Sequence, residues 1–192
     1  MREHLRFLAG FAKAPCTVGA VAPSSRRLAE LMTEEMGLRE AETVVELGAG
    51  TGVFTRAIER HLGAGSVFLS LEVNSSFVQR LKSKFSRAEI VHDSAENIRQ
   101  HLERHQRPHA DSILSGLPWA SFPPDLQERI MAAVVDALRP GGRFATFVYI
   151  HSAWLPAARQ FRRWLTEHFA SVSTTRVVWW NLPPAFVYRC EK

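Results

Sequence analysis

Apolar residues along the chain switch between short β-branched runs and longer stretches of helical period. Thr43-Val44-Val45-Glu46-Leu47 is the clearest such run and predicts a strand over 43–47. Apolar positions at helical spacing follow, so a helix is predicted over about 52–61. The alternation repeats with a strand at 67–72 and a helix at 75–84, then a strand at 88–92 and a helix at about 94–105. A strand at 111–114 and a helix at about 124–138 come next. Pro140-Gly141-Gly142 marks a turn, followed by a strand at 143–149 and a helix at about 156–168. Two runs then lack a helix between them, Val172 to Trp180 and Ala185 to Cys190, joined by Asn181-Leu182-Pro183-Pro184. They predict a closing antiparallel pair. The whole pattern predicts an α/β fold with a seven-stranded, mostly parallel sheet, helices on both faces and an antiparallel C-terminal hairpin.

Ahead of this unit, residues 2–13 have helical period. Phe7, Phe11, Leu8, Ala12, Leu5 and Ala9 share one arc, and Arg2, Arg6 and Lys13 lie on the other side. A basic amphipathic helix of this kind can lie in a membrane interface, or it can pack on its own domain. Residues 15–25 carry proline near both ends and glycine within, so they form a loop, apolar enough to lie over a pocket as a lid. Ser24 or Ser25 is a good N-cap for a helix from about Arg26 to Met36, stopped by Gly37. Residues 1–40 are therefore N-terminal helices and a lid loop, grouped with the main unit at 41–192.

Composition narrows the class. A chain of 192 residues with 46% hydrophobic and 22% charged residues suits one globular domain. No apolar run approaches the length of a membrane span, and the N-terminal residues do not read as a secretory signal. A cytoplasmic protein is expected. Cys16 and Cys190 make no metal-ligand spacing, so reduced thiols and no metal site are expected. The net charge of +5 suits an anionic partner, either nucleic acid or a membrane surface.

The chemistry concentrates after the strands. Glu46, Gly48, Ala49, Gly50, Thr51 and Gly52 form a glycine loop between a strand and a helix. A dinucleotide fingerprint would want glycine where Val53 stands, and a phosphate-cradling loop would want a lysine. What remains, E-x-G-x-G-x-G, resembles the first motif of the class I S-adenosylmethionine-dependent methyltransferases. Ligands of such sheets bind beyond the strand C-termini. Glu72, followed by Val73, can accept both hydroxyls of a ribose. Asp93-Ser94-Ala95 follows the third strand. In the methyltransferases an acid there typically bonds the adenine amino group, although Asp93 can equally cap a helix with Glu96 completing a capping box. Ser115-Gly116-Leu117-Pro118-Trp119 follows the fourth strand, where methyl group and acceptor would meet. It is similar to the N-[LP]-P-[YF] loop of enzymes that methylate nucleic-acid amines, with Ser115 as the polar residue and Trp119 as the stacking ring. A rigid loop with Trp119 buried for packing is the plainer alternative.

Taken together, the chain resembles the bacterial phospholipid N-methyltransferases over nearly its whole length. The carriers are Val18 to Ser25, the glycine loop, Ser115-Gly116-Leu117-Pro118, Pro140-Gly141-Gly142 with Phe147-Val148-Tyr149, and Asn181-Leu182-Pro183-Pro184-Ala185. The resemblance implies a Rossmann-like fold, S-adenosyl-L-methionine as cofactor, and stepwise methylation of phosphatidylethanolamine towards phosphatidylcholine. It implies cofactor contacts at Glu46, from Gly48 to Gly52, at Glu72 and Val73, from Asp93 to Ala95, and from Ser115 to Leu117. Ser115, Trp119 and Tyr149 are the expected catalytic residues. Val18, Gly19, Pro23, Ser24, Trp119, Phe122, Tyr149, Trp154 and Asn181 are the expected substrate contacts. Methylated products are bulky cations, and aromatic faces from Trp119, Phe122, Tyr149 and Trp154 could hold them. Tyr149 and His151 are the nearest side-chain candidates for accepting the amine proton, with a water as an equal alternative, and Arg159, Arg162 and Arg163 are candidates for the lipid phosphate. The expected partner is an anionic membrane surface, reached through the N-terminal helix at the inner face of the cell membrane. No stable nucleic-acid partner is expected, and a monomer is favoured. A soluble amine, or an rRNA adenine as in the adenine dimethyltransferases, remains an alternative acceptor; the latter enzymes want Asn or Asp where Ser115 stands.

Overall fold

The computed structural model describes residues 24–192. The amphipathic helix expected over 2–13, Cys16, and the loop residues Val18, Gly19 and Pro23 lie outside the described residues. The strands are β1 (Thr43–Leu47), β2 (Val67–Glu72), β3 (Glu89–His92), β4 (Ala110–Ser115), β5 (Leu138–Tyr149), β6 (Ser171–Thr174) and β7 (Ala185–Glu191). The helices are α1 (Arg26–Thr33), α2 (Val53–His61), α3 (Ser75–Lys84), α4 (Ile98–Arg104), α5 (Pro124–Ala137) and α6 (Pro156–His168). One sheet holds all seven strands in the order β3-β2-β1-β4-β5-β7-β6. The first five run parallel, and β7 runs antiparallel to β5 and β6.

Strand alternation divides the core into two layers. Val45 and Leu47 of β1 face α4, α5 and α6, together with Ile113, Phe144 and Val148. Val44 faces the opposite way, into a layer built with α1, α2 and α3 that also takes Leu114, Ala145, Phe147 and Tyr149. Side chains two apart share a face, so Glu46 follows Val44 towards α2. Alternation of this kind separates residues that are close in sequence, and it decides much of the site below.

Most element bounds match the sequence pattern; four differ for local reasons. α1 ends at Thr33 rather than Met36, because Glu35 takes a φ of +63° that a helix cannot continue. Ser25 is its N-cap, accepting from the Leu28 N–H at 3.2 Å. The helix expected from 94 begins instead as a 3-10 turn, Ala95–Asn97, capped by Ser94 and not by Asp93. Pro140-Gly141-Gly142 bulges out within a longer β5, so Ala110 pairs with Leu138 but Ser112 with Arg143. Finally, β6 stops at Thr174 although the apolar run continues to Trp180. The Thr175 hydroxyl takes the Val187 N–H at 3.0 Å, and only an isolated bridge, Val178 to Ala185, follows.

α1 is part of the same body. Arg189 of β7 reaches across to Glu34 at 2.7 Å and Glu35 at 2.8 Å. Cys190 is buried, which pushes its thiol up to about 12 and leaves it protonated and inert. Among the described residues, no helix is long and apolar enough to cross a membrane.

Candidate active site

The carboxyl ends of β3, β2, β1 and β4 lie side by side, and each delivers residues that the sequence pattern singled out. The loop from Gly48 to Gly52 folds over β1. Gly48 donates its N–H to Leu71 O at 2.8 Å, and Gly116 donates to Leu47 O at 2.8 Å, stitching three strand ends together. Gly48, Gly50 and Gly52 all have positive φ, but for different purposes. A side chain on Gly48 would come within 2.7 Å of Leu117, and one on Gly52 within 2.4 Å of Phe85. These two glycines let the loop pack against its neighbours. Gly50 alone opens onto free space, with nothing within 4 Å of where a side chain would begin. Of these three glycines, only Gly50 leaves room for a ligand to approach the backbone closely.

Glu72 holds that position. Its Oε2 accepts from the Gly50 N–H at 2.8 Å, and its Oε1 accepts from the Asn74 N–H at 2.8 Å. Each carboxylate oxygen keeps one further lone pair for an outside donor. Val73 beside it is half-buried, and its carbonyl accepts from the His92 ring at 3.0 Å.

Glu46 forms the floor. It is fully buried, and its Oε2 accepts from the hydroxyls of Thr55 and Ser70, each at 2.7 Å. Its Oε1 has no partner among the described residues. Burial pushes this carboxyl from 4.5 to about 7; the Ser70 and Thr55 hydrogen bonds pull the other way, and the charge of Glu72 adds to the rise. Ser70 and Thr55 escaped the sequence reading, although a serine inside the apolar strand Val67–Glu72 was a usable signal.

Asp93 is held by a network that the sequence did not announce. Its Oδ1 accepts from the Ser94 N–H at 2.7 Å and from Asn97 Nδ2 at 2.8 Å. Its Oδ2 lies 2.8 Å from His101 Nε2. Arg104 lies 3.3 Å from the other ring nitrogen, so the ring presents Nε2–H to the carboxylate. Partial burial alone would raise the Asp93 pKa; the hydrogen bonds from His101, Asn97 and Ser94 outweigh it and hold the carboxyl below its ordinary value. Ser94 and Ala95 are buried beneath it. His101 stands eight positions on, in a part of α4 that no loop motif marks.

The loop after β4 corrects several expectations. Trp119 is only 1% exposed. Its ring stacks on Phe161 at 4.8 Å and meets Phe122 and Phe144 edge-on. Its indole N–H donates to Ser115 Oγ at 3.1 Å. Ser115 is itself fully buried, and its Oγ also accepts from the Leu117 N–H. The two residues shape the loop from inside; neither presents its side chain to an acceptor. The four-ring cation site fails for the same reason. Trp119 and Phe122 sit in the layer of α5 and α6, Tyr149 belongs to the opposite layer, and Trp154 is largely exposed. Asn181 is also buried, accepting from the Ser25 N–H at 2.8 Å and donating to Pro183 O at 2.6 Å. It ties the β6–β7 loop to the start of α1 and does not face a substrate. Ser24 and Tyr149 are half-buried. Tyr149 stacks on His151 at 5.6 Å and meets Phe147 edge-on at 5.2 Å.

Comparison with known proteins agrees with this geometry. A family described as a methyltransferase domain matches residues 45–144, from β1 into β5. The ornithine lipid N-methyltransferase of Singulisphaera acidiphila is 31% identical over 194 residues, covering 100% of this chain and 97% of the relative. Among solved structures, the O-methyltransferase of Bacillus cereus, determined with S-adenosylhomocysteine, superposes with a TM-score of 0.67 at 17% identity, covering 99% of this chain and 90% of that one. The O-methyltransferase TomG of Streptomyces achromogenes, determined with S-adenosylmethionine, gives 0.66 at 18% identity, with 99% and 90% covered. The cofactor is S-adenosyl-L-methionine, and the residues present suit it. Glu72 has spare acceptor capacity for hydroxyls, Gly50 leaves room for close approach, and the buried Glu46 keeps one oxygen without a partner among the described residues. With the domain matched over more than half of its length and a lipid-methylating relative over all of it, the chain belongs to the bacterial lipid N-methyltransferases of the class I, S-adenosylmethionine-dependent kind.

Proposed function

We propose that this chain methylates the primary amine of a lipid headgroup at a membrane surface. The observation that carries the acceptor class is the whole-length similarity to the ornithine lipid N-methyltransferase, which extends beyond the cofactor half into the segments that flank it. Phosphatidylethanolamine, converted stepwise towards phosphatidylcholine, is the acceptor that the loop motifs favour. Ornithine lipid is the acceptor that the relative favours. The two share the chemistry that matters, a primary amine carried on a membrane-embedded tail. An adenine acceptor finds less support, because the ring that would stack a base, Trp119, is enclosed by Phe161, Phe122 and Phe144.

The cofactor supplies a methyl group on a sulfonium, which is already an activated leaving group, so positioning carries the rate. Glu72 and Asp93 fix the orientation of the nucleoside end, each itself held by hydrogen bonds from the protein. The buried Ala49, Leu117 and Trp119 wall the site against water from below. The attacking amine must be neutral, because an ammonium has no lone pair. Burial raises the Tyr149 phenol above its ordinary value of 10.0, so at neutral pH it keeps its proton and acts as a ring face or a donor. His151, exposed and stacked on Tyr149, is the candidate side chain for the amine proton, with water as the alternative acceptor.

The test is lipid analysis of two bacterial hosts expressing the chain, one rich in phosphatidylethanolamine and one that makes ornithine lipid. Methylated species of at least one lipid are expected. Their absence from both hosts, with purified protein that binds the cofactor, would overturn the reading.

A further inference from the structure

Among the described residues, five large apolar side chains are exposed, and all five lie in two loops. Trp154 (74% exposed) and Leu155 (45%) follow β5; Trp179 (68%), Trp180 (94%) and Leu182 (68%) precede β7. The two loops leave the sheet together. Tyr149 pairs with Ala185, and the Ile150 N–H donates to Pro184 O at 2.9 Å. They emerge at the end of the sheet where β4 and β5 terminate, beside the candidate active site. Three of the chain's five tryptophans are therefore displayed on one rim. Exposed apolar groups gathered in this way mark interaction surfaces, whereas scattered ones need no explanation.

The display is built into the fold. Asn181 points inward between Trp180 and Leu182 and is held by Ser25 and Pro183, with its own N–H donated to Val178 O at 3.2 Å. Anchoring that one residue turns its two neighbours outward. Charge flanks the patch. Arg159, Arg162 and Arg163 on α6, Arg176 on the β6–β7 loop and Arg26 on α1 are exposed, and none takes part in an ion pair among the described residues. Against them stand Glu167 on α6 and Glu30 on α1, the latter paired with Arg27 at 3.1 Å.

We propose that this rim is a membrane-docking surface, with Trp154, Leu155, Trp179, Trp180 and Leu182 entering the headgroup boundary of an anionic bilayer and the flanking arginines meeting lipid phosphates. Tryptophan suits that boundary because its ring is apolar and its N–H is polar, and basic side chains add attraction to anionic lipid. Docking here sets the cofactor end of the sheet against the leaflet that holds the acceptor amine. The inference rests on the lipid reading for its occupant.

The experiment uses the full chain and vesicles of phosphatidylcholine with phosphatidylglycerol, which contain no methylatable amine, so binding is read apart from the reaction. The parent should sediment with these vesicles, less so with phosphatidylcholine alone, and its tryptophan fluorescence should be quenched by brominated acyl chains. The variant Trp179→Ser/Trp180→Ser/Leu182→Ser should lose roughly tenfold or more in vesicle affinity, together with that quenching. Its cofactor affinity and its methylation of lipid dispersed in detergent should stay within about twofold. Unchanged vesicle binding by the variant would overturn the proposal, as would parent fluorescence that brominated lipid does not quench. A parent dimer that the triple substitution dissolves would also overturn it, by assigning the patch to a second copy. Failure of docking with lipid methylation intact refutes this surface alone; docking without methylation of any lipid amine refutes the acceptor reading.

Discussion

Replacing Glu46 by Gln keeps the side chain's shape and its hydroxyl contacts but removes its titration. The native carboxyl is lifted from 4.5 to about 7, first by burial. A carboxyl raised in the folded state binds a proton there that the unfolded chain has already released. Its stabilisation is therefore complete below 4.5 and lost as pH rises through about 7. A shift of that size corresponds to about 3 kcal/mol. The side chain is wholly buried, so solvent screening does not reduce this figure much. Urea denaturation of cofactor-free parent and Glu46→Gln, run at intervals from pH 5 to about 8, isolates the effect, because other groups cancel in the difference. The stability of the parent relative to the variant should fall by about 3 kcal/mol across the full range and then level off. A difference that stays flat with pH would mean Glu46 carries the same charge throughout. The unpartnered, desolvated floor of the site would then be wrong.

Other perturbations separate roles that the sequence merged. Gly50→Ala and Gly52→Ala each place a side chain at positive φ, but only the second collides with Phe85. Gly52→Ala should cost about 1–3 kcal/mol more stability in thermal or urea unfolding; Gly50→Val should instead remove cofactor binding measured by calorimetry. Trp119→Phe should lower stability by about 1–3 kcal/mol through the lost bond to buried Ser115, while the relative rates on different amine acceptors stay the same. His101→Leu should weaken cofactor affinity several-fold without loss of helical circular dichroism. It should also let the Asp93 carboxyl rise towards its ordinary 3.8, measurable by NMR titration. Asp93 is lowered in the fold, so its stabilisation is present above that value and is lost on acidification; the variant should lose less of it.

The sheet was legible because parallel strands buried on both faces read as unbroken apolar runs, and the glycines mark the loop after the first of them. The candidate cofactor residues follow from one rule, that ligands sit beyond strand ends. What escaped was side-chain direction. Ser115 and Trp119 stand where an acceptor would meet the methyl group, yet the loop turns both into the α5–α6 layer, and spacing alone carries no sign of that turn. Val177-Val178-Trp179-Trp180 reads as strand because it is apolar, whereas two of its members face outward beyond the last paired residue. The Asp93–His101 pair was hidden by a 3-10 turn, which shifts α4 relative to the loop by an amount no periodicity gives. Asn181 was a substrate contact only by resemblance to the family; here its amide fastens a loop.

The most direct test of the central claim is methyl transfer by the purified full chain from labelled S-adenosylmethionine to vesicles holding phosphatidylethanolamine or ornithine lipid, with products separated and identified by mass spectrometry. Label in a methylated lipid amine, appearing faster when anionic lipid is included, is the predicted result. Tight cofactor binding with no label in either lipid, and transfer to a soluble amine or to RNA instead, would contradict it.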